Sequence, residues 1–431
     1  MLGFKSVRDI VRVDDLLAGE LPLLMGAGPV PLADSVARAN TLMINHLGST
    51  MDTVLEQVMQ MGAYLFQSSD ATILGVAGPA SAGLEMAVSN LVTPATRVLS
   101  VCNGHFGMRI AEMAARAGGE VVRLTTPPFH AAAADDVARE LRRGRYGVLT
   151  ICHGETSHTV HNTALPEICR IARAQGCLVL VDAVCTLGAM PFQMADWHID
   201  AAVVGGQKAL GAIPGVALVA FSPRAWARIE ARREASAHWC LDARLAADFW
   251  LRRAYHYTAP VPGILALHEA LRLYCEETPD ERFLRHRRCS HALQAGLRAL
   301  GLSFAVEPGV RLQTVLGVRL PDGVDARALR ESMSRESGVD ISGAFGLDIV
   351  RIGQMAEQCR APNLLRTLRA LAAALAEQHC EADLAAALAV TKQLLSDAAS
   401  GRVRLPPNPP SGYTRMRDAS VPAEEPEVQP E

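Results

Sequence analysis

Strand-length apolar runs alternate with segments of helical periodicity across the first 220 residues. Thr72 to Val76, Val98 to Val101, Glu120 to Leu124, Gly147 to Ile151, Cys177 to Val181, Ile199 to Val204 and Val216 to Phe221 read as seven strands. Between them, Leu42 to Gln67, the stretch from Gly78 to Leu91, Phe106 to Ala117 and Pro166 to Gly176 space their apolar residues as helices do. Several of the strands lack a polar alternation, which is how strands buried on both faces read. The alternation predicts an α/β fold with a mostly parallel seven-stranded sheet between helices.

The pattern changes after about Pro260. Leu265 to Cys275, Leu284 to Leu300 and Leu364 to Ala376 read as helices, and Val315 to Leu320 and Asp348 to Ile352 as strands. These predict a smaller C-terminal α+β domain. The division expected is a lead-in over 1–22, a large domain over 23–262, a small domain over 263–380 and an extra helix over 381–400. Residues 401–431, with Pro406-Pro-Asn-Pro-Pro410 and Glu424-Glu425-Pro426-Glu427, have little to bury and are expected to be disordered.

Composition narrows the function. A net charge of −3 leaves no basic footprint for nucleic acid. No apolar run approaches the roughly 20 residues of a membrane span. The start lacks the apolar centre of a signal peptide, and the ten cysteines include no Cys-x-x-Cys pair. A cytoplasmic protein with reduced thiols is expected.

Two strands end on polar residues that suit a pyridine-ring cofactor. One delivers Asp182 and the other Lys208, 26 positions later. Among 42 lysines and arginines only Lys5, Lys208 and Lys392 are lysine, so arginine carries nearly all the positive charge. A lysine in a Gly-rich turn after Ala201 to Val204 is either a strand-end cap or a nucleophile able to form a Schiff base with an aldehyde. A carboxylate nearby can keep a ring nitrogen protonated.

Other polar features carry two readings each. Gly75-Val-Ala-Gly-Pro-Ala80-Ser81-Ala-Gly83 is an anion site at a helix start or a small-residue turn. Phe106, in Cys102-Asn-Gly-His-Phe106, can stack on a flat ring or fill the core. Cys152-His153-Gly-Glu155-Thr156-Ser157-His158-Thr-Val-His161 matches no zinc spacing, and no metal is expected. Arg351 sits among apolar residues and needs an anionic partner, whether a structural carboxylate or a ligand.

Together these residues resemble the class V aminotransferases, pyridoxal-phosphate enzymes of fold type I, with the alanine–glyoxylate and serine–pyruvate branch most similar. The resemblance covers roughly residues 23–375. It rests on Val181-Asp182-Ala-Val184, Gly206-Gln207-Lys208-Ala-Leu, Tyr255-His-Tyr-Thr258-Ala-Pro and Arg351-Ile-Gly. It implies pyridoxal 5'-phosphate bound covalently by Lys208, with Asp182 on the ring nitrogen, Phe106 stacked on the ring and Thr156 beside it. Ala80, Ser81 and Gln207 fall on the phosphate cradle. Tyr255 and Thr258 would reach the phosphate of a second subunit, which implies a homodimer with shared sites. Arg351 matches the substrate-carboxylate arginine, and Gly28 lines the substrate.

The implied reaction moves an amino group from alanine or serine to glyoxylate or pyruvate by a ping-pong mechanism. Relatives that use pyridoxamine, ureidoglycine or aminoethylphosphonate as donor are the alternatives, with a non-catalytic binding protein on the same fold as the other class. A cysteine desulfurase typically has histidine where this chain has Gln207. The chain also departs from the family pattern at Pro79-Ala80-Ser81, often Ser-Gly-His, and at Thr159, where the family has glycine.

Overall fold

The computed structural model describes residues 11–399 apart from 18 and 20; the segment expected to be disordered lies outside the described residues. The centre of the molecule is a seven-stranded sheet. In chain order its strands are β1 (Thr72–Ala77), β2 (Arg97–Cys102), β3 (Glu120–Thr125), β4 (Val148–Cys152), β5 (Leu178–Asp182), β6 (Ala201–Gly205) and β7 (Val216–Phe221). Their spatial order is β1-β7-β6-β5-β4-β2-β3. The pairs β2–β3, β2–β4, β4–β5 and β5–β6 are parallel, and β7 runs antiparallel to both its neighbours.

Every residue of β4, β5, β6 and β7 is buried, which is why these segments are continuously apolar. At the sheet edge every residue of β3 is exposed or half-buried. Helices supply the cover. The Ser49–Phe66 helix turns Leu55, Val58 and Leu65 inward, and the Ala80–Leu91 helix turns in Leu84, Ala87 and Val88. Burying one such Leu or Val contributes roughly 1.5–3 kcal/mol. The first of these helices begins at Ser49, later than its apolar spacing from Leu42 suggests, because Gly48 stands in extended geometry at its N-cap.

A second core forms around a three-stranded antiparallel sheet of Ser303–Phe304, Val315–Arg319 and Val350–Gly353. Leu293, Leu297, Leu316, Val350, Ile352, Leu368 and Leu371 fill it. Leu23–Leu24 pairs in parallel with Val339–Asp340, so Met25 joins this second core while the next residues run toward the large sheet. Leu384–Ala399 is helical and packs on the Pro279–Ala299 helix. Among the described residues no helix is long and apolar enough to cross a membrane.

Candidate active site

The register of the parallel strands gathers the polar residues. Cys152 pairs with Asp182 across β4–β5, and Asp182 with Val203 across β5–β6. Lys208 follows five residues after Val203, in a turn that leaves helical geometry at Lys208 itself, with φ −120° and ψ −123°. Polar chemistry therefore collects at the carboxyl edge of the sheet, where open α/β sheets leave a crevice.

Asp182 is buried, and its Oδ1 accepts from the Val184 amide at 2.9 Å. Burial pushes its carboxyl up to about 6, against the pull of that amide. The Cys152 thiol lies 3.9 Å from Oδ2. Behind the strand end, the His153 amide donates to the Asp182 carbonyl at 2.8 Å. The rings of His153 and His161 meet edge-on with their Nε2 atoms 3.1 Å apart, and His153 Nδ1 is 2.9 Å from Thr186 Oγ1. Burial holds both imidazoles neutral, with His161 near 4. Among the described residues no group of three His, Cys, Asp or Glu can hold a metal ion.

The Lys208 ammonium donates to the Ala27 carbonyl. Burial lowers its pKa, and the charge of Arg351 lowers it further. Gly28 is in the left-handed region at φ +91°, and a Cβ there would stand 2.7 Å from Lys208 Nζ. Glycine thus meets both a conformational and a steric demand.

Arg351 is buried beside this lysine. Its Nε donates to the Gly343 carbonyl at 2.7 Å and one terminal nitrogen to the Thr156 carbonyl at 3.0 Å. Its guanidinium lies 5.0 Å from the centre of the Phe345 ring. Burial draws its pKa down and the more distant charge of Glu155 opposes this. Among the described residues no carboxylate makes an ion pair with it. Of the two partners the sequence leaves open, the structural carboxylate is not the one found.

The turn after β1 lies across the site. The Ala80–Leu91 helix starts directly after Pro79, so its first amides point toward the strand ends. A Cβ added to Gly205 would stand 2.6 Å from both Ala80 Cβ and Gln207 Oε1, so tightly are these residues gathered. Among the described residues Gln207 Oε1 is buried without a hydrogen-bond partner. Ser81 stands one residue further along the same helix start.

Phe106 begins the His105–Arg116 helix and is half-buried, with the Arg109 guanidinium 5.0 Å from its ring centre. Thr156 is buried in the adjacent loop. Thr159 has φ +54°, a left-handed geometry that favours glycine, which accounts for the family's choice at that position. Tyr255 is 63% exposed and Thr258 is exposed too, so neither joins the cluster within one chain.

Two residues of the site escape sequence reasoning. Glu155 is fully buried, and its Oε2 accepts from the amides of Phe106 and Gly107, each at 3.0 Å. Its Oε1 accepts from the amide and hydroxyl of Ser157, at 3.0 and 2.6 Å. It therefore caps, from another element, the helix that carries Phe106. The Tyr257 hydroxyl accepts from the Ala77 amide at 3.3 Å, bracing the end of β1 before the turn. The only hint in the sequence is that both lie within motifs already rich in polar groups.

A lysine, a buried carboxylate and an unpaired arginine at the carboxyl edge of a mostly parallel sheet define an enzyme of the pyridoxal-phosphate fold type I class. The family model "Aminotransferase class-V" matches residues 32–369. An alanine–glyoxylate aminotransferase of Oryctolagus cuniculus is 34% identical over 369 residues, covering 83% of this chain and 93% of that protein. The crystal structure of a ureidoglycine–glyoxylate aminotransferase from Bacillus subtilis superposes with TM-score 0.86 at 29% identity, covering 88% of this chain and 99% of that one. A pyridoxamine–pyruvate aminotransferase from Mesorhizobium loti gives TM-score 0.82 at 27% identity, covering 88% and 98%. The chain belongs to the class V aminotransferase family, and it is an aminotransferase.

Proposed function

We propose that this enzyme binds pyridoxal 5'-phosphate at the carboxyl edge of the sheet and moves an amino group from alanine or serine to glyoxylate or pyruvate in a ping-pong cycle. The observation that carries the reading is the Asp182–Lys208–Arg351 constellation: a buried carboxylate, a lysine held by one backbone carbonyl and an arginine with no carboxylate partner. The donor set fits the cofactor. The helix start at Ala80 and Ser81 suits a phosphate, whose charge the helix amides favour, and Gln207 would donate to it through its side-chain amide nitrogen. Phe106 and Thr156 would hold the ring, and Asp182 would hold the proton on its nitrogen.

When bound, the cofactor supplies an electron sink for charge developing at the substrate α-carbon. Lys208, with its pKa lowered, would hold the cofactor and would carry a proton to and from the substrate α-carbon. Arg351 holds the substrate carboxylate through its free edge, and Gly28 leaves room beside Lys208 for the small side chain. Tyr255 and Thr258, exposed in one chain, would reach the phosphate of a second copy, making a homodimer with shared sites. Ten unpaired cysteines favour a reducing compartment, the cytoplasm.

The Bacillus and Mesorhizobium neighbours favour a second reading, with ureidoglycine or pyridoxamine as donor. A screen of alanine, serine, ureidoglycine and pyridoxamine against glyoxylate and pyruvate separates the two. Turnover of alanine or serine at least tenfold above the others is expected. A preference for ureidoglycine or pyridoxamine overturns the first reading in favour of the second.

A further inference from the structure

Residues 342–348 lead into the strand that carries Arg351, and the base of this loop is tied to the substrate side of the site. The Ala27 amide donates to Ser342 Oγ at 3.0 Å. Ser342 and Arg351 exchange backbone hydrogen bonds at 3.1 and 2.7 Å, and the Gly343 carbonyl accepts from Arg351 Nε. The tip is a tight turn. Gly346 stands in the left-handed region at φ +74°, and its amide donates to the Ala344 carbonyl at 3.0 Å. Between these two residues stands Phe345, a large apolar side chain that is 50% exposed.

Three contacts hold this ring despite its exposure. It stacks on the His105 ring, with centres 4.4 Å apart and planes 9° from parallel. It meets the Phe106 ring edge-on, with centres 6.1 Å apart. The Arg351 guanidinium lies 5.0 Å from its centre, within reach of a cation–π attraction. His105 is fixed in turn. Its amide donates to Ser157 Oγ at 2.8 Å, and its Nε2 is 3.2 Å from an Arg109 terminal nitrogen. The stack therefore crosses from the strand of the second core to the helix that follows β2, passing between Arg351 and Phe106.

We infer that Phe345 is a specificity-determining residue that limits the length of the substrate side chain. The inference rests on the proposed placement of the substrate carboxylate on Arg351 and of the cofactor ring against Phe106. A substrate so placed spans the interval between those two residues, and Phe345 packs against both of them. Its half-exposed ring walls this interval on the solvent side. A methyl or hydroxymethyl group fits within the wall. A longer chain has to push the ring aside and break its stack on His105. The wall is apolar, so it selects by volume, and one methylene too many against such a wall changes kcat/KM by about tenfold or more. Phe345 has no ionisable group, so it moves no proton in the reaction.

The test compares wild type, Phe345→Ala, Phe345→Tyr and His105→Ala, each as full-length enzyme loaded with pyridoxal phosphate. Turnover of alanine, 2-aminobutyrate, norvaline and leucine gives kcat/KM against chain length. The absorbance of the bound cofactor gives dissociation constants for acetate, propionate, butyrate and 4-methylpentanoate, which occupy the site without reacting. From the shortest to the longest member, wild type should lose about tenfold or more in both series, and Phe345→Ala about threefold at most. Phe345→Tyr keeps the ring and should follow wild type. His105→Ala keeps Phe345 but removes its stacking partner, and should fall between. A wild type without this length dependence, or a Phe345→Ala enzyme that retains it, overturns the inference. So does a Phe345→Ala enzyme that weakens every member equally, because the ring would then only support Arg351. If wild type turns over neither alanine nor serine, the first reading of the function fails. The unreactive acids, which need only Arg351, still decide the role of Phe345.

Discussion

The Val184 amide gives the Asp182 carboxylate a 2.9 Å hydrogen bond, and that bond does not offset the burial of the charge. The carboxyl titrates near 6 in the folded chain against an ordinary value of 3.8. The folded state therefore binds the extra proton in this window. The stability contributed by this group is present below about pH 4 and is lost as pH rises through about 6. At ~1.4 kcal/mol per pKa unit, the loss is on the order of 3 kcal/mol above that window. Asp182→Asn should raise the Tm of cofactor-free enzyme at pH 8, and by less at pH 5. The same variant should lose most of its turnover. Equal Tm shifts at both pH values, or near-normal kcat, would refute the assignment.

Lys208 is the nucleophile in the proposed reaction. Borohydride treatment of enzyme loaded with pyridoxal phosphate should fix the cofactor on the peptide containing Lys208, read by mass spectrometry. Label on Lys392, or none, would remove the basis of the site. Gly28→Ala should interfere with this attachment, because its methyl would overlap the Lys208 side chain in a backbone region hostile to alanine.

Arg351 should serve both half-reactions, since the amino acid and the 2-oxo acid each carry a carboxylate. A guanidinium edge holds a carboxylate by two parallel charge-assisted bonds, each contributing roughly 1.5–3 kcal/mol. Arg351→Ala should raise KM for both substrates by about tenfold or more, where ~1.4 kcal/mol is tenfold. Arg351→Lys should fall between, and cofactor absorbance should hardly change. Weakening of one substrate alone would indicate a donor without a carboxylate at this position, such as pyridoxamine.

Glu155 is a positioning residue for Phe106. In Glu155→Ala the amides of Phe106, Gly107 and Ser157 lose their acceptor, at about 1–3 kcal/mol for each buried donor left unpaired. The variant should melt several degrees lower. Its bound cofactor should show a weaker visible circular dichroism band if Phe106 stacks on it as proposed, because the Phe106 ring loses its anchor. Glu155→Gln keeps an acceptor oxygen and should recover part of both signals. A variant with normal Tm and normal dichroism would show that the cap does not position the ring.

The large sheet was legible because its strands are buried on both faces, and such burial writes continuous apolar runs into the chain. Lys208 was legible because arginine takes nearly every other positive position, and Asp182 because it ends an apolar run. Amphipathic helices with few apolar residues were harder to read. Ala134–Leu141, Pro223–Glu230 and Ala326–Ser337 bury only two or three residues each, so their apolar periodicity is faint.

What lies between distant residues was decided by the tertiary structure alone. Nothing in the chain's local pattern says that the Ala27 carbonyl, 181 positions from Lys208, will hold its ammonium. Nor does it say that Glu155 will cap a helix 48 or 49 positions earlier, or that Arg351 will meet the Thr156 carbonyl instead of a carboxylate. Periodicity reports which face of an element is buried, because burial acts on every turn or every second residue. A hydrogen bond between two loops acts once, on one pair of atoms, and leaves no period to read. The sequence by itself thus determined the layers of the fold and the residue types at the strand ends. Only the packing of those layers set which of these residues meet.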